Sequence, residues 1–227
     1  MIKLLYSLIF LALLLTSCYS YKVTQKPIIF DETRKQLTLE YLEEHYELKQ
    51  DEPTIDPKMV VVHWTIIPTM QKTFDAFNRS TLPSWRPKIQ SASGLNVSSQ
   101  YLIAQDGTIY QLLPDTVMAR HVIGLNHCAI GIENVGGGDL PLTKAQLRSN
   151  TALIKELAKK YPIEYVIGHY EYQNFIGHPL WKETDANYLT QKSDPSKAFM
   201  ADLRKKLKRL DLKDLPRKAI ASPKDEG

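Results

Sequence analysis

Two short apolar runs, each closing on a histidine, constrain this chain more than any other feature. One is Met59-Val60-Val61-Val62-His63-Trp64; the other is Tyr165-Val166-Ile167-Gly168-His169. Both have strand length and neither alternates polar with apolar, so each reads as a strand buried on both faces. Such strands lie parallel between helices, and a common direction brings their C-terminal ends to one edge of the sheet. A fold that satisfies both runs places two imidazoles together at that edge.

The intervening segments predict the rest of an α/β domain. Asp31 can cap a helix to Tyr46, with Glu32 in its first turn and Leu37, Leu39, Tyr41, Leu42 and Tyr46 at near-helical spacing. A second helix over 69–78 carries Met70, Phe74 and Phe77 on one face. Residues 80–97, with Pro83, Pro87 and Gly94, read as a loop. Strands Gln100–Ala104 and Thr108–Leu113 flank Asp106-Gly107, a hairpin signal. A strand over Ala129–Val135 runs into Gly136-Gly137-Gly138. Thr143 caps a long helix through Leu147, Leu153, Ile154, Leu157 and Ala158, which Pro162 ends. Pro195 opens a last helix through Phe199, Leu203 and Leu207. The order α, β, α, β, β, β, α, β, α predicts a central mixed β-sheet flanked by helices.

The N-terminus reads as an export device. Lys3 precedes an apolar stretch, Leu4 to Leu15, that is too short to span a bilayer as a stable helix. Leu15-Thr16-Ser17-Cys18 puts a small residue and then a cysteine where cleavage belongs, as in a bacterial lipoprotein signal. Residues 1–17 are then a signal peptide and Cys18 is lipidated, with enough acyl chain for stable anchoring. Residues 18–57 form a tether (19–30) and a helix, 58–210 the main domain, and 211–227 a flexible tail. The expected location is the bacterial cell envelope, at an outer-membrane or periplasmic face. Net charge is +4, much of it in Arg204-Lys205-Lys206-Leu207-Lys208-Arg209. That run reads as the solvated face of a terminal helix, and no nucleic-acid partner is expected of an exported chain. With Cys18 acylated, Cys128 stands alone and a disulfide framework is excluded. A monomer is expected.

The chemistry gathers at the strand ends. Asp194 lies in Lys192-Ser193-Asp194-Pro195. Two imidazoles and a carboxylate (His63, His169 and Asp194) make the three-ligand set of a catalytic zinc site, one ion per chain, with a fourth position open. Glu133 closes Ile130-Gly131-Ile132-Glu133, and burial at the end of an apolar strand suits a carboxylate to general-base work. Lys192 and Asp194 point the same way if the segment is extended, so the Lys192 ammonium faces the open position and can hold an oxyanion. His178 is a rival to His169, but it sits in a loop beside Pro179 and no strand aims it.

These residues resemble the zinc-dependent N-acetylmuramoyl-L-alanine amidases, relatives of the peptidoglycan recognition proteins. The resemblance runs from about Met59 to Phe199. It rests on Val61-Val62-His63-Trp64-Thr65, on Val97-Ser98-Ser99-Gln100-Tyr101-Leu102-Ile103 with Asp106-Gly107-Thr108-Ile109-Tyr110-Gln111-Leu112, and on Ala119-Arg120-His121. It continues through Asn126 with Ile130-Gly131-Ile132-Glu133, Ile167-Gly168-His169, and Lys192-Ser193-Asp194-Pro195 with Phe199. It implies that His63, His169 and Asp194 hold zinc, that Glu133 is the base and Lys192 the oxyanion stabiliser. His121 and Asn126 would line a groove for peptidoglycan or a muropeptide. The bond cut would be the amide between N-acetylmuramic acid and L-alanine. Gln100 stands where many relatives have histidine, Arg120 where tryptophan is common, and Ser196 where glycine usually comes after Asp-Pro. Residues 170–191 form a longer stretch than in compact relatives. A non-catalytic peptidoglycan-binding module is the competing reading; such relatives tend to have lost a metal ligand, and all three are present here.

Overall fold

In the computed structural model, which describes residues 22–84, 89 and 91–216, six strands form one sheet. They are β1 (Val23–Gln25), β2 (Met59–Trp64), β3 (Tyr101–Ile103), β4 (Ile109–Gln111), β5 (Ala129–Asn134) and β6 (Tyr165–Gly168). Their spatial order is β1-β4-β3-β5-β2-β6. The strands β3, β5, β2 and β6 are parallel; β4 turns back on β3 through the Asp106-Gly107 hairpin, and β1 adds parallel to β4. The expected mixed sheet is thus present. The expected signal peptide, Cys18 and residues 217–227 of the tail lie outside the described residues. Among the described residues, no helix is long and apolar enough to cross a membrane.

Among the described residues, the longer α-helices are α1 (Glu32–Tyr46), α2 (Met70–Asn78), α3 (Lys144–Lys160) and α4 (Lys197–Leu207). Their caps explain their starts. Asp31, Thr69 and Thr143 accept from Arg34, Lys72 and Gln146 N–H, and Gln146 completes a capping box. Pro195 does not open the last helix; Ser196 caps it by accepting from Phe199 N–H at 3.2 Å. The serine that departs from the family's glycine therefore serves as a cap.

Three further expectations are corrected. The supposed tether at 19–30 contains β1, whose ladder continues through Lys26 N–H to Gln111 O and Ile28 N–H to Leu112 O. Three residues are too few to show alternation. The buried stripe of α1 is Arg34, Thr38, Tyr41, Leu42, His45 and Tyr46, while Leu37 and Leu39 are only half-buried. Its spacing is helical, but half of its members are polar, so an apolar count misplaces the face. Residues 211–216 are not frayed: Lys213 N–H donates to Glu164 O, and Leu212 and Leu215 pack on the core.

Register divides the sheet into two working faces. Asn134 points to one face and accepts a hydrogen bond from Asn150 of α3 at 2.7 Å. Val62 pairs with Gly168, which lies against Met200 of α4. So α3 and α4 cover that face. Gly131, Glu133 and His63 have the opposite parity, with His121 lying over Gly131. The 119–127 loop covers this second face, and α1 braces the loop through the Tyr46 hydroxyl. Tyr41, Leu42 and Tyr46 belong to the same core as β2 and β5, and Ile28 packs in a smaller cluster with Leu102 and Leu112.

Candidate metal centre and active site

The register of β2 and β5 sets His63 beside Glu133 on one face. One residue past Gly168, the strand β6 gives way to a 3-10 helix, His169–Phe175, and His169 begins it beside the end of β2. Glu171 accepts from Gly168 N–H at 2.8 Å and pairs with Arg204, pinning this corner to α4. Asp194 is carried back by the chain preceding α4, where its carbonyl accepts from Tyr170 N–H at 3.0 Å. The Asp194–Pro195 peptide is cis.

Three candidate ligand atoms then converge. His63 Nδ1 lies 2.9 Å from His169 Nδ1 and 3.3 Å from Asp194 Oδ2, and His169 Nδ1 lies 3.1 Å from the same oxygen. Ligand atoms around a tetrahedral zinc at its usual bond lengths stand about 3.3 Å apart. Three lone-pair atoms that face each other so closely repel unless a cation or a proton lies between them. Burial first, and the neighbouring His63 second, push His169 down to about 3, so its ring is neutral, the form a metal needs. Burial opposes ionisation of Asp194, but hydrogen bonds with His169 and His63 outweigh it and hold the carboxyl well below the usual carboxylate range. The donor set fits zinc. His178 is not part of it: Leu180 N–H donates to its Nδ1, and its ring packs against Phe175 and Tyr165. Cys128 is buried and reduced, its thiol pushed up to about 12 by burial, and it is no ligand.

His121 sits behind the ligands. Its Nδ1 is 3.1 Å from His63 Nε2 and its Nε2 is 3.2 Å from Ala129 O. Burial, and after it the charge of His63, pushes His121 well down, so it is neutral. With His63 Nδ1 turned toward the other ligands, His63 Nε2–H donates to His121 Nδ1, and His121 Nε2–H donates to the Ala129 carbonyl. This chain fixes both tautomers by the logic of an outer-shell partner. Asn126 holds the loop that delivers His121: its Oδ1 accepts from His121 and Val122 N–H at 2.9 and 2.8 Å, and its Nδ2 donates to Tyr46 Oη at 2.9 Å.

A pocket opens beside these groups, walled by Tyr41, Arg120, His121, Tyr188, Thr190 and Lys192, with His169 at its base. Lys192 therefore shares the cavity with His169. Asn126 lines the same pocket. Sequence reasoning missed Tyr41 and Tyr188, which come from α1 and from the long 170–191 stretch. Arg120 fastens the wall together. It donates to Ser93 O at 3.0 Å, Ile89 O at 2.7 Å, Leu95 O and the Tyr188 hydroxyl. Gln100 turns into the sheet, accepting from Gly131 N–H and donating to Val117 O, so it does not stand in for a ligand.

Fold and site define an α/β domain built around a candidate metal centre. The chain belongs to the N-acetylmuramoyl-L-alanine amidase family, whose model matches residues 53–197, and it is an enzyme of that class. It is 32% identical over 130 residues to the 1,6-anhydro-N-acetylmuramyl-L-alanine amidase AmpD of Escherichia coli strain K12, across 52% of this chain and 70% of that protein. The AmpD of Citrobacter freundii is 31% identical over the same length, across 52% of this chain and 68% of that protein. Among solved structures, the N-acetylmuramoyl-L-alanine amidase LysC of Clostridium intestinale URNW superposes with a TM-score of 0.53 at 20% identity, over 85% of this chain and 99% of that one. That likeness concerns the fold.

Proposed function

We propose that this enzyme is zinc-dependent and hydrolyses the amide between N-acetylmuramic acid and L-alanine in peptidoglycan or muropeptides. The observation that carries the reading is the approach of His63 Nδ1, His169 Nδ1 and Asp194 Oδ2 to within 2.9–3.3 Å of one another. Zinc held there would lower the pKa of a water and polarise the scissile carbonyl. Glu133, on the same sheet face as His63, takes the proton of the attacking water and returns it to the leaving amine of L-alanine. The Lys192 ammonium stabilises the oxyanion from across the pocket. His121 and Asn126 shape the substrate-facing wall, and His121 also holds the His63 ring. Acylation at Cys18 would keep the enzyme on a membrane of the bacterial cell envelope, where its polymer lies.

The test is mass spectrometry of digested muropeptides with metal content measured alongside. Glu133→Gln should keep zinc and slow turnover by about two to four orders of magnitude. Lys192→Ala should keep zinc and lose about 10²–10³ in rate. Binding to sacculi should survive in both. Parent protein that is zinc-replete and binds peptidoglycan without releasing stem peptides would sink the reading, as would either variant cleaving at the parental rate.

A further inference from the structure

The face of the sheet opposite the catalytic pocket carries a feature that the amidase reaction does not use. A groove runs between α3 and α4, lined by Arg148, Lys155, Lys159, Lys206 and Arg209, with Glu156 as the one acid among its walls. Glu156 is engaged by Lys159 at 2.7 Å. Where the groove continues toward the start of α3, Lys144 and Lys205 add two more cations, and Asp202 there is paired with Lys205 at 3.4 Å. All these cations but Lys155 are exposed. The basic run near the C-terminus is therefore more than the solvated side of one helix, because α3 brings its own cations to face it.

Lys144 and Arg148 adjoin Asp202 and Lys206, whereas Arg148 and Lys155 adjoin Lys206, Arg209 and Leu210 further along. The helices thus advance in the same direction, side by side in one layer, with a row of cations on each. The floor between them, Ala152, Ala158 and Leu210, is apolar but only half-buried. Asn134–Asn150 and Gly168–Met200 place this layer on the face that Glu133 and His63 do not use. Rows of cations carried by two neighbouring helices complement an extended surface of negative charge.

We propose that the α3–α4 face docks on an anionic phospholipid surface, leaving the catalytic pocket turned away from the membrane toward its polymer. Anionic headgroups can sit over the groove between the cation rows. The interaction is electrostatic, so it weakens as the Debye length shrinks with salt. It requires no acyl group, although an anchor at Cys18 would raise the local concentration of this face at the bilayer.

The experiment is vesicle sedimentation of the full chain, with vesicles of phosphatidylcholine alone or with added phosphatidylglycerol. The N-terminal segment is present in every arm, so the anionic-to-neutral ratio isolates the charged face. The expected ratio is large at roughly 0.1 M salt and collapses at roughly 0.5 M. Each cation near an anionic membrane multiplies partition by about fivefold, so Arg148→Glu, Lys155→Glu, Lys206→Glu and Arg209→Glu combined should lower the ratio by about 100-fold or more. The same variant should keep its melting temperature and its cleavage of soluble muropeptide, since none of the four touches the pocket. A parent ratio near one overturns the proposal. So does a folded, active variant that retains the parental ratio. Tight binding to soluble polyphosphate with no preference for anionic vesicles would assign the face to a polymer and likewise overturn it.

Discussion

Replacing Gly131 by alanine tests the back of the metal site without touching a ligand. An ideal Cβ on Gly131 would lie 2.8 Å from His121 Cδ2, 2.9 Å from Cγ and 3.0 Å from Nε2. Carbon atoms prefer separations of about 3.5–4.0 Å, so the ring must retreat by roughly half an ångström or more. It has little room, being held by His63 Nε2 at 3.1 Å and Ala129 O at 3.2 Å. Overpacking of this kind costs about 1–3 kcal/mol, and a buried polar group that loses its partner costs a similar amount. The lost partner is the one that orients His63, and such outer-shell losses weaken metal binding by about 10–100-fold. Gly131→Ala should therefore raise the zinc dissociation constant by that factor in competition with a chromogenic chelator, and lower the melting temperature by several degrees. The control is the cycle with His121→Ala. Once the ring is gone, the methyl has space, and its effect on zinc should fall below about 0.5 kcal/mol. Equal costs in both backgrounds would refute the steric argument.

Alanine at His63, His169 or Asp194 should strip zinc, whereas His178→Ala should keep it; metal analysis of the four proteins decides, and zinc lost from His178→Ala alone would reassign the ligand set. For the metal-free protein, stability should fall as pH drops below about 6.5. Burial depresses His169 to about 3 and His127 to about 4, so the unfolded chain binds protons first. Each such histidine contributes a slope of about 1.4 kcal/mol per pH unit between its unfolded and folded values, and a flat denaturation midpoint from pH 7 to 5 would contradict this. Arg120→Met should loosen the pocket wall, raising KM more than it lowers kcat and admitting protease in the 89–95 and 176–191 segments; unchanged KM would argue against the clamp.

Elements with strong local grammar are legible in the sequence alone. The β2 run, the Asp106-Gly107 hairpin and the Thr143 cap each carry their instruction within a few residues. The meeting of His63 and His169 is legible for a different reason: two histidines ending apolar strands must approach if the strands are parallel neighbours. What escapes is non-local. The short strand β1 exists only because β4 offers it an edge. Arg34 and His45 are buried against partners far away in the chain, the Phe77 and Arg79 carbonyls for one and Glu183 and the Ala92 carbonyl for the other, and no window of sequence shows that. The family resemblance implies that Asn126 and His121 line a groove. The structure adds that each also holds something else in place, a loop in one case and an imidazole in the other.

The helix α1 lies before the stretch matched by the family, yet its Tyr46 hydroxyl is what the Asn126 amide donates to, and its Tyr41 ring forms part of the pocket wall. His45 reaches across to Glu183 at 2.8 Å, joining the helix to the long stretch on the far side of the cleft. A fragment cut at residue 53 would thus be a module by alignment and a building without its buttress by mechanics. The shape of the cleft is set by a segment that carries none of the chemistry, and exchanging that helix would be a way to retune which substrates enter without altering the residues that act on them.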